Sequence, residues 1–230
     1  MRKNDLHKQL INLLKELHLP MFCEYYEQFA QKAIAEDMGY AQYLLELAQH
    51  EYEVRRANKI ARLVKASKLP MEKTMVNFDL KRLPLKICQQ VKILLEGLFV
   101  DRTENILAFG RPGSGKTHLL CAICHELAWQ GRKVYFTTCD SIVQQLLRAK
   151  RDLELDKLLK KLSRFDVIMI DDFGYVKQDR DEMEVLFTLL AHRYERGSML
   201  ITSNLPFSEV GDDIQGPYDN SCRYRPAGAP

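Results

Sequence analysis

The stretch that most restricts how this chain can fold is Gly110-Arg111-Pro112-Gly113-Ser114-Gly115-Lys116-Thr117. It follows the pattern G-x-x-x-x-G-K-[ST], in which a glycine-rich turn wraps its backbone N–H groups around the phosphates of a nucleoside triphosphate. Glycine tolerates the backbone angles of such a turn and allows a close approach that a Cβ would block. Lys116 is expected to reach the β and γ phosphates, and the Thr117 hydroxyl to ligate Mg²⁺. The flanks agree with this geometry. Asn105 to Phe109 is a short apolar strand candidate, and Thr117 onward reads as a helix whose N-terminus faces the phosphates. Gly110 to His118 is therefore the expected nucleotide-contacting run, with ATP and Mg²⁺ as the cofactors.

Downstream, strands and helices alternate. A helix to about Gln130 and the turn Gly131-Arg132 precede the strand Val134 to Thr138, and Cys139 to Leu162 reads as helical. Val167-Ile168-Met169-Ile170-Asp171-Asp172 is an apolar run ending in two carboxylates, the composition of a strand buried on both faces of a parallel sheet. A helix from Asp181 to Glu195 and a fourth strand, Ser198 to Asn204, complete the pattern. The fold class is α/β, a P-loop parallel sheet with helices on both faces.

Asp171 sits where a strand-end carboxylate holds Mg²⁺, and Asp172 where a neighbour orients or deprotonates the attacking water. A helix cap or a solvent-facing turn is the other reading of that pair. Asn204, ending the fourth strand, is placed to bond the γ phosphate or the water, although an Asn there is also a common turn residue. Lys116, Asp171, Asp172 and Asn204 form the expected catalytic set. No pocket for a small phosphate acceptor is visible in the sequence, which counts against a nucleoside kinase.

The first third of the chain is different. Leu6 to Leu17, Met21 to Ala35 and a helix starting near Tyr40, which either continues or restarts through Glu51 to Ser67, show helical spacing, with Leu69-Pro70 as the stop. The expected domains are a helical unit over 1–69, a linker over 70–83 anchored by Phe78, the nucleotide domain over 84–210 and an irregular tail over 211–230. Overall charge is only +3, yet between Arg55 and Lys92 eleven Lys and Arg face Glu72 and Asp79 alone. Arg55, Lys59, Arg62 and Lys65 recur at helical spacing, with Arg56 beside them, while Ala57, Ile60, Ala61 and Val64 take another stripe. The five basic residues are candidates for double-stranded DNA, and a plain solvated helix face is the competing reading.

The six cysteines lie scattered among apolar neighbours, as reduced thiols do. Cys121-Ala122-Ile123-Cys124-His125 spells a haem-attachment pattern, but it falls on the helix leaving the phosphate loop, so haem or zinc is not expected there. The polar N-terminus lacks the apolar stretch of a secretory signal and no run suits a membrane span, so the cytoplasm is the expected location.

Gly110 to Leu120, Ile170-Asp171-Asp172-Phe173-Gly174-Tyr175, Arg193-Tyr194-Glu195-Arg196 and above all Ile201-Thr202-Ser203-Asn204-Leu205-Pro206-Phe207-Ser208-Glu209 resemble the insertion-sequence ATP-binding proteins. These IstB-like transposase helpers are close relatives of the DnaC helicase loaders within the AAA+ ATPases. The resemblance implies an N-terminal helical domain contacting DNA or a partner, an AAA+ domain, a homo-oligomer assembled on DNA with ATP, and stimulation of a transposase. It implies Asp171 as the Mg²⁺-linked carboxylate, Asp172 in the place of a catalytic Glu, and Asn204 as the first sensor. Asp172 is one methylene shorter than Glu, so slower hydrolysis is expected. A DnaC-like loader with a replicative helicase as partner, and an ATP-switched DNA adaptor with little turnover, share these motifs. After Glu209 the sequence departs from the family pattern. No helix with an arginine finger and no fifth strand is readable, so Asn105 to Phe109 is expected at a sheet edge and turnover is expected to be weak.

Overall fold

The computed structural model describes residues 3–173 and 180–204. They form two compact units that divide between Arg62 and Leu63. The stretch after Glu209, where neither an arginine finger nor a fifth strand is readable, and the motif residues Gly174-Tyr175 and Leu205 to Glu209 lie outside the described residues. Among the described residues no helix is long and apolar enough to cross a membrane.

The first unit contains α1 (Lys3–Glu16), α2 (Pro20–Ala35) and most of α3 (Tyr40–Ser67), with Leu14, Ala33 and Leu47 buried. Pro20 opens α2, a position where its missing N–H would have had no helical partner. The next orphan donor, the Met21 N–H, bonds at 2.8 Å to the buried Glu51 carboxylate from α3. Glu51 in turn holds Arg55 Nε at 2.5 Å, and Arg55 also donates to the His18 carbonyl. The expected apolar stripe on α3 is only half realised: Ile60 and Val64 are half-buried, whereas Ala57 and Ala61 are exposed. An alanine methyl has little area to remove from water, so packing follows the larger side chains.

In the second unit, residues 71–83 form turns and a short 3₁₀ helix over Leu80–Arg82, begun by the Asp79 carboxylate accepting the Lys81 N–H at 3.1 Å. Next come α4 (Leu85–Leu95), a turn through Gly97 at φ +77, and α5 (Leu98–Asp101). The remaining elements are β1 (Ile106–Phe109), α6 (Lys116–Trp129), β2 (Val134–Thr138), α7 (Cys139–Arg151), α8 (Leu155–Leu162), β3 (Val167–Phe173), α9 (Arg180–Arg193) and β4 (Ser198–Ser203). The four strands pair in parallel in the order β1-β4-β3-β2.

β3 is central and apolar because both its faces are covered. Val167 and Met169 pack with Leu120, Ile123, Cys124 and Leu127 of α6 on one face. Ile168 and Ile170 pack with Ile142, Leu146, Leu159 and Leu189 on the other. The helical stretch expected from Cys139 to Leu162 is two helices, broken at Leu153, which is at φ +56 and 93% exposed. A straight helix over that span would run about 36 Å, far beyond the five-residue strand β2 it covers. The break lets Ile142, Val143, Leu146, Leu159 and Leu162 reach one cluster.

Arg193, at the end of α9, is only 1% exposed and acts as an internal strut. Its guanidinium donates to the carbonyls of Phe165 at 2.8 Å, Asp166 and Ser198 at 3.2 Å and Leu162 at 3.4 Å. Burial lowers its pKa, but a guanidinium stays charged at neutral pH. A Cβ at Gly197 would overlap this group, which explains glycine there. Arg193→Leu removes the donors from several buried carbonyls and is expected to destabilise the protein by about 3 kcal/mol. Chemical unfolding measures this, and a loss below about 1 kcal/mol would show that water replaces the guanidinium without penalty.

Candidate nucleotide site

In a parallel sheet every strand ends at the same edge, and that edge collects the motif residues. The register sets Phe109 opposite Ser203, and the Gly110 N–H continues the ladder to the Ser203 carbonyl at 3.3 Å. The loop therefore begins beside the end of β4. Gly113 and Gly115 adopt φ +75 and φ +88, left-handed values that favour glycine. Gly115 caps α6, so the N–H groups of Lys116, Thr117 and His118 have no helical partner and point out of the helix start.

Lys116 does not extend into solvent. Its Nζ donates to the carbonyls of Gly110 at 2.7 Å and Arg111 at 3.0 Å, lies 3.5 Å from Ser114 Oγ, and reaches Asn204 Oδ1 at 2.7 Å. Two motif residues 88 positions apart are thus in direct contact. Thr117 Oγ1 donates to Asp171 Oδ1 at 2.8 Å, joining the helix start to the end of β3. A hydroxyl and a carboxylate oxygen are the hard donors that Mg²⁺ accepts from a protein, so the pair fits that cation.

Asp171 is 6% exposed and takes a second hydroxyl, Thr202 Oγ1 of β4, at 2.5 Å. β3 and β4 pair regularly up to Ile170 and Ile201 and resume at Phe173 and Ser203. Asp171 and Asp172 together thus stand against the single residue Thr202, a β-bulge. Asp172 is at φ +55 and exposed, and its N–H donates to Thr202 Oγ1 at 3.0 Å.

Lys116 thus contacts Asn204, and Thr117 contacts Asp171, with Asp172 joined to Thr202 through its backbone N–H. Arg111, Pro112, Gly113 and Ser114 form the exposed crest of the loop. The His118 side chain turns away: its ring meets Phe78 edge-on at 5.1 Å, and Nε2 donates to the Thr74 carbonyl at 3.1 Å. The constraint at Gly115 is its φ of +88 and not space, since a Cβ there would lie at ordinary contact distance, 3.4 Å, from the Phe78 ring. Thr202 is the residue that sequence reading passed over. The signal was a hydroxyl at a buried position of an apolar strand, two residues before Asn204.

Cys121 and Cys124 lie inside the second unit with their sulfurs 3.9 Å from Met169 Sδ. Burial pushes the Cys121 thiol up to about 12 and raises Cys124 well above its usual value, so both are inert thiols. His125 Nε2 donates to the Pro70 carbonyl at 3.0 Å.

Within the first unit a cleft of about 670 Å³ is lined by Lys15, His18, Leu19, Pro20, Cys23, Arg55, Lys59 and Arg62. Arg55, Arg56, Lys59, Arg62 and Lys65 are all exposed. Three of these five line the cleft, joined by Lys15 from the end of α1 and His18 from the turn that follows it. Arg55 is already committed to Glu51 and the His18 carbonyl, so its charge is partly spent inside the fold.

The family model of the IstB-like ATP binding protein matches residues 12–218. A protein of Geobacillus stearothermophilus, named for ATP binding and for insertion sequence IS5376, is 38% identical over 198 residues, or 86% of this chain and 79% of that one. A similarly named Sinorhizobium fredii protein is 38% identical across 86% of this chain and 66% of its own length. The Pseudomonas aeruginosa protein of insertion sequence IS21 is 33% identical across 87% and 76%. Among solved structures, AMPPCP-bound DnaA from Aquifex aeolicus is similar at a TM-score of 0.52 and 21% identity, over 60% of this chain and 43% of that one. DnaI is similar at 0.52 and 21%, over 64% and 81%. At these identities the structural likeness is one of fold alone, a parallel sheet with flanking helices.

Proposed function

The chain belongs to the family of IstB-like ATP-binding proteins, and from that premise we propose that it is an ATP-binding helper of DNA transposition. In this reading it binds ATP with Mg²⁺, assembles as a homo-oligomer on double-stranded DNA and stimulates a transposase. The relatives' names, all of insertion sequences, favour a transposase over a replicative helicase as partner. The observation that carries the nucleotide reading is the direct contact of Lys116 with Asn204 and of Thr117 with Asp171.

Each residue has a role set by its chemistry. The backbone N–H groups from Gly113 to His118 cradle phosphate oxygens, and the Lys116 ammonium moves from loop carbonyls to the β and γ phosphates. Thr117 and Asp171 hold Mg²⁺, which supplies charge neutralisation when bound. Asp172, exposed beside them, orients the attacking water or takes its proton, and Asn204 senses the γ phosphate. In the first unit, Lys15, Lys59 and Arg62 contact DNA phosphates across the cleft, with Arg55 helping to shape it. Arg56 and Lys65, exposed on the same helix, add charge beside the cleft.

Lys116→Ala removes the ammonium that compensates phosphate charge and is expected to weaken Mg·ATP binding at least about 100-fold. Titration calorimetry measures this, and equal affinity in parent and variant would refute the nucleotide assignment. Replacing Lys15, Lys59 and Arg62 together with Gln is expected to weaken binding to all DNA sequences alike. The slope of log affinity against log salt should flatten by roughly 0.9 for each lost phosphate contact. An unchanged slope would make the cleft an ordinary solvated face.

A further inference from the structure

We propose that Thr202 is a positioning residue for both strand-end carboxylates, a role that rests on the nucleotide reading above. Its hydroxyl has one hydrogen and acceptor lone pairs, and both functions are used. The hydrogen goes to Asp171 Oδ1 at 2.5 Å, and a lone pair takes the Asp172 N–H at 3.0 Å. Thr202 is 1% exposed, so water does not compete for either contact.

The bulge makes this side chain necessary. Where two residues of β3 face one of β4, the regular ladder cannot pair every N–H, and even a partly buried donor left unpaired carries a cost. The Thr202 hydroxyl takes the N–H of Asp172 in place of a backbone carbonyl. It thereby helps to hold Asp172 at φ +55, a left-handed conformation that a non-glycine residue keeps only where its surroundings enforce it.

Asp171 Oδ1 accepts two hydroxyls, from Thr117 and from Thr202. Thr117 is the one expected to turn to the cation. The Thr202 bond is independent of that exchange and keeps the carboxylate aimed. Valine has nearly the shape of threonine without the hydroxyl, so Thr202→Val isolates this contact, and Thr202→Ser restores the hydroxyl without the methyl.

Two measurements test the role. In the nucleotide-free protein, hydrogen exchange of the Asp172 amide, followed by NMR, is expected to be at least about tenfold faster in Thr202→Val and near parental in Thr202→Ser. With a fluorescent ATP analogue, the Mg²⁺ concentration giving half-maximal enhancement of binding is expected to rise about tenfold in Thr202→Val. Affinity for the analogue in EDTA should stay within about twofold of the parent, because the phosphate cradle is untouched. Parental Mg²⁺ dependence in Thr202→Val would overturn the proposal, as would an equal loss with and without Mg²⁺, which marks general damage. Thr202→Ser behaving like Thr202→Val would also overturn it. A parent that binds no analogue in either condition refutes the nucleotide reading, and this proposal with it.

Discussion

One buried carboxylate organises the site. Asp171, at the end of β3, is nearly sealed from water and accepts hydroxyl hydrogens from the start of α6 and from β4. A buried carboxyl group needs hydrogen-bond partners, and here neighbouring elements supply two hydroxyls to Oδ1. The same contacts therefore solve a folding problem and join the phosphate loop to the carboxylate edge of the sheet. Lys116 makes the complementary link, spanning from the loop carbonyls to Asn204 beyond β4. A parallel sheet is what makes such convergence possible, because residues from distant parts of the sequence finish at one edge.

Local backbone rules are broken at this edge and hardly at all in the strands behind it. Gly113 and Gly115 take left-handed angles at little cost, while Asp172 takes one at some cost beside a bulge. The bulge turns Asp172 into the open while Asp171 stays buried. Two adjacent carboxylates thereby acquire different environments, one fit to hold a cation against hydroxyls and the other free to meet water. Successive residues of a strand already point to opposite faces, and Thr202 is the side chain through which β4 contacts both Asp171 and Asp172.

Much of this was legible in residue order. The phosphate loop, the strands of β2 and β3, and the joint placement of Lys116, Thr117, Asp171 and Asn204 follow from spacing and from the need of apolar runs to be covered. What escaped were features decided by packing between elements. The interruption at Leu153 depends on how far a helix can run over a short sheet, and the exposure of Ala57 and Ala61 on how little a methyl group gains by burial. Arg55 read as one member of a basic stripe, yet its buried partner Glu51 lies just before the basic run, at helical spacing. Thr202 was passed over because a threonine in a strand has high β propensity and needs no special explanation until its cross-strand neighbours are known.

The nucleotide edge and the basic cleft are proposed to serve one process, ATP-dependent assembly on DNA. The most direct measurement is the affinity of the purified chain for double-stranded DNA at fixed salt, with Mg·ATP and without nucleotide. The account predicts clearly tighter binding with Mg·ATP in the parent and no such gain in Lys116→Ala. The same affinity in both conditions for the parent protein would contradict it.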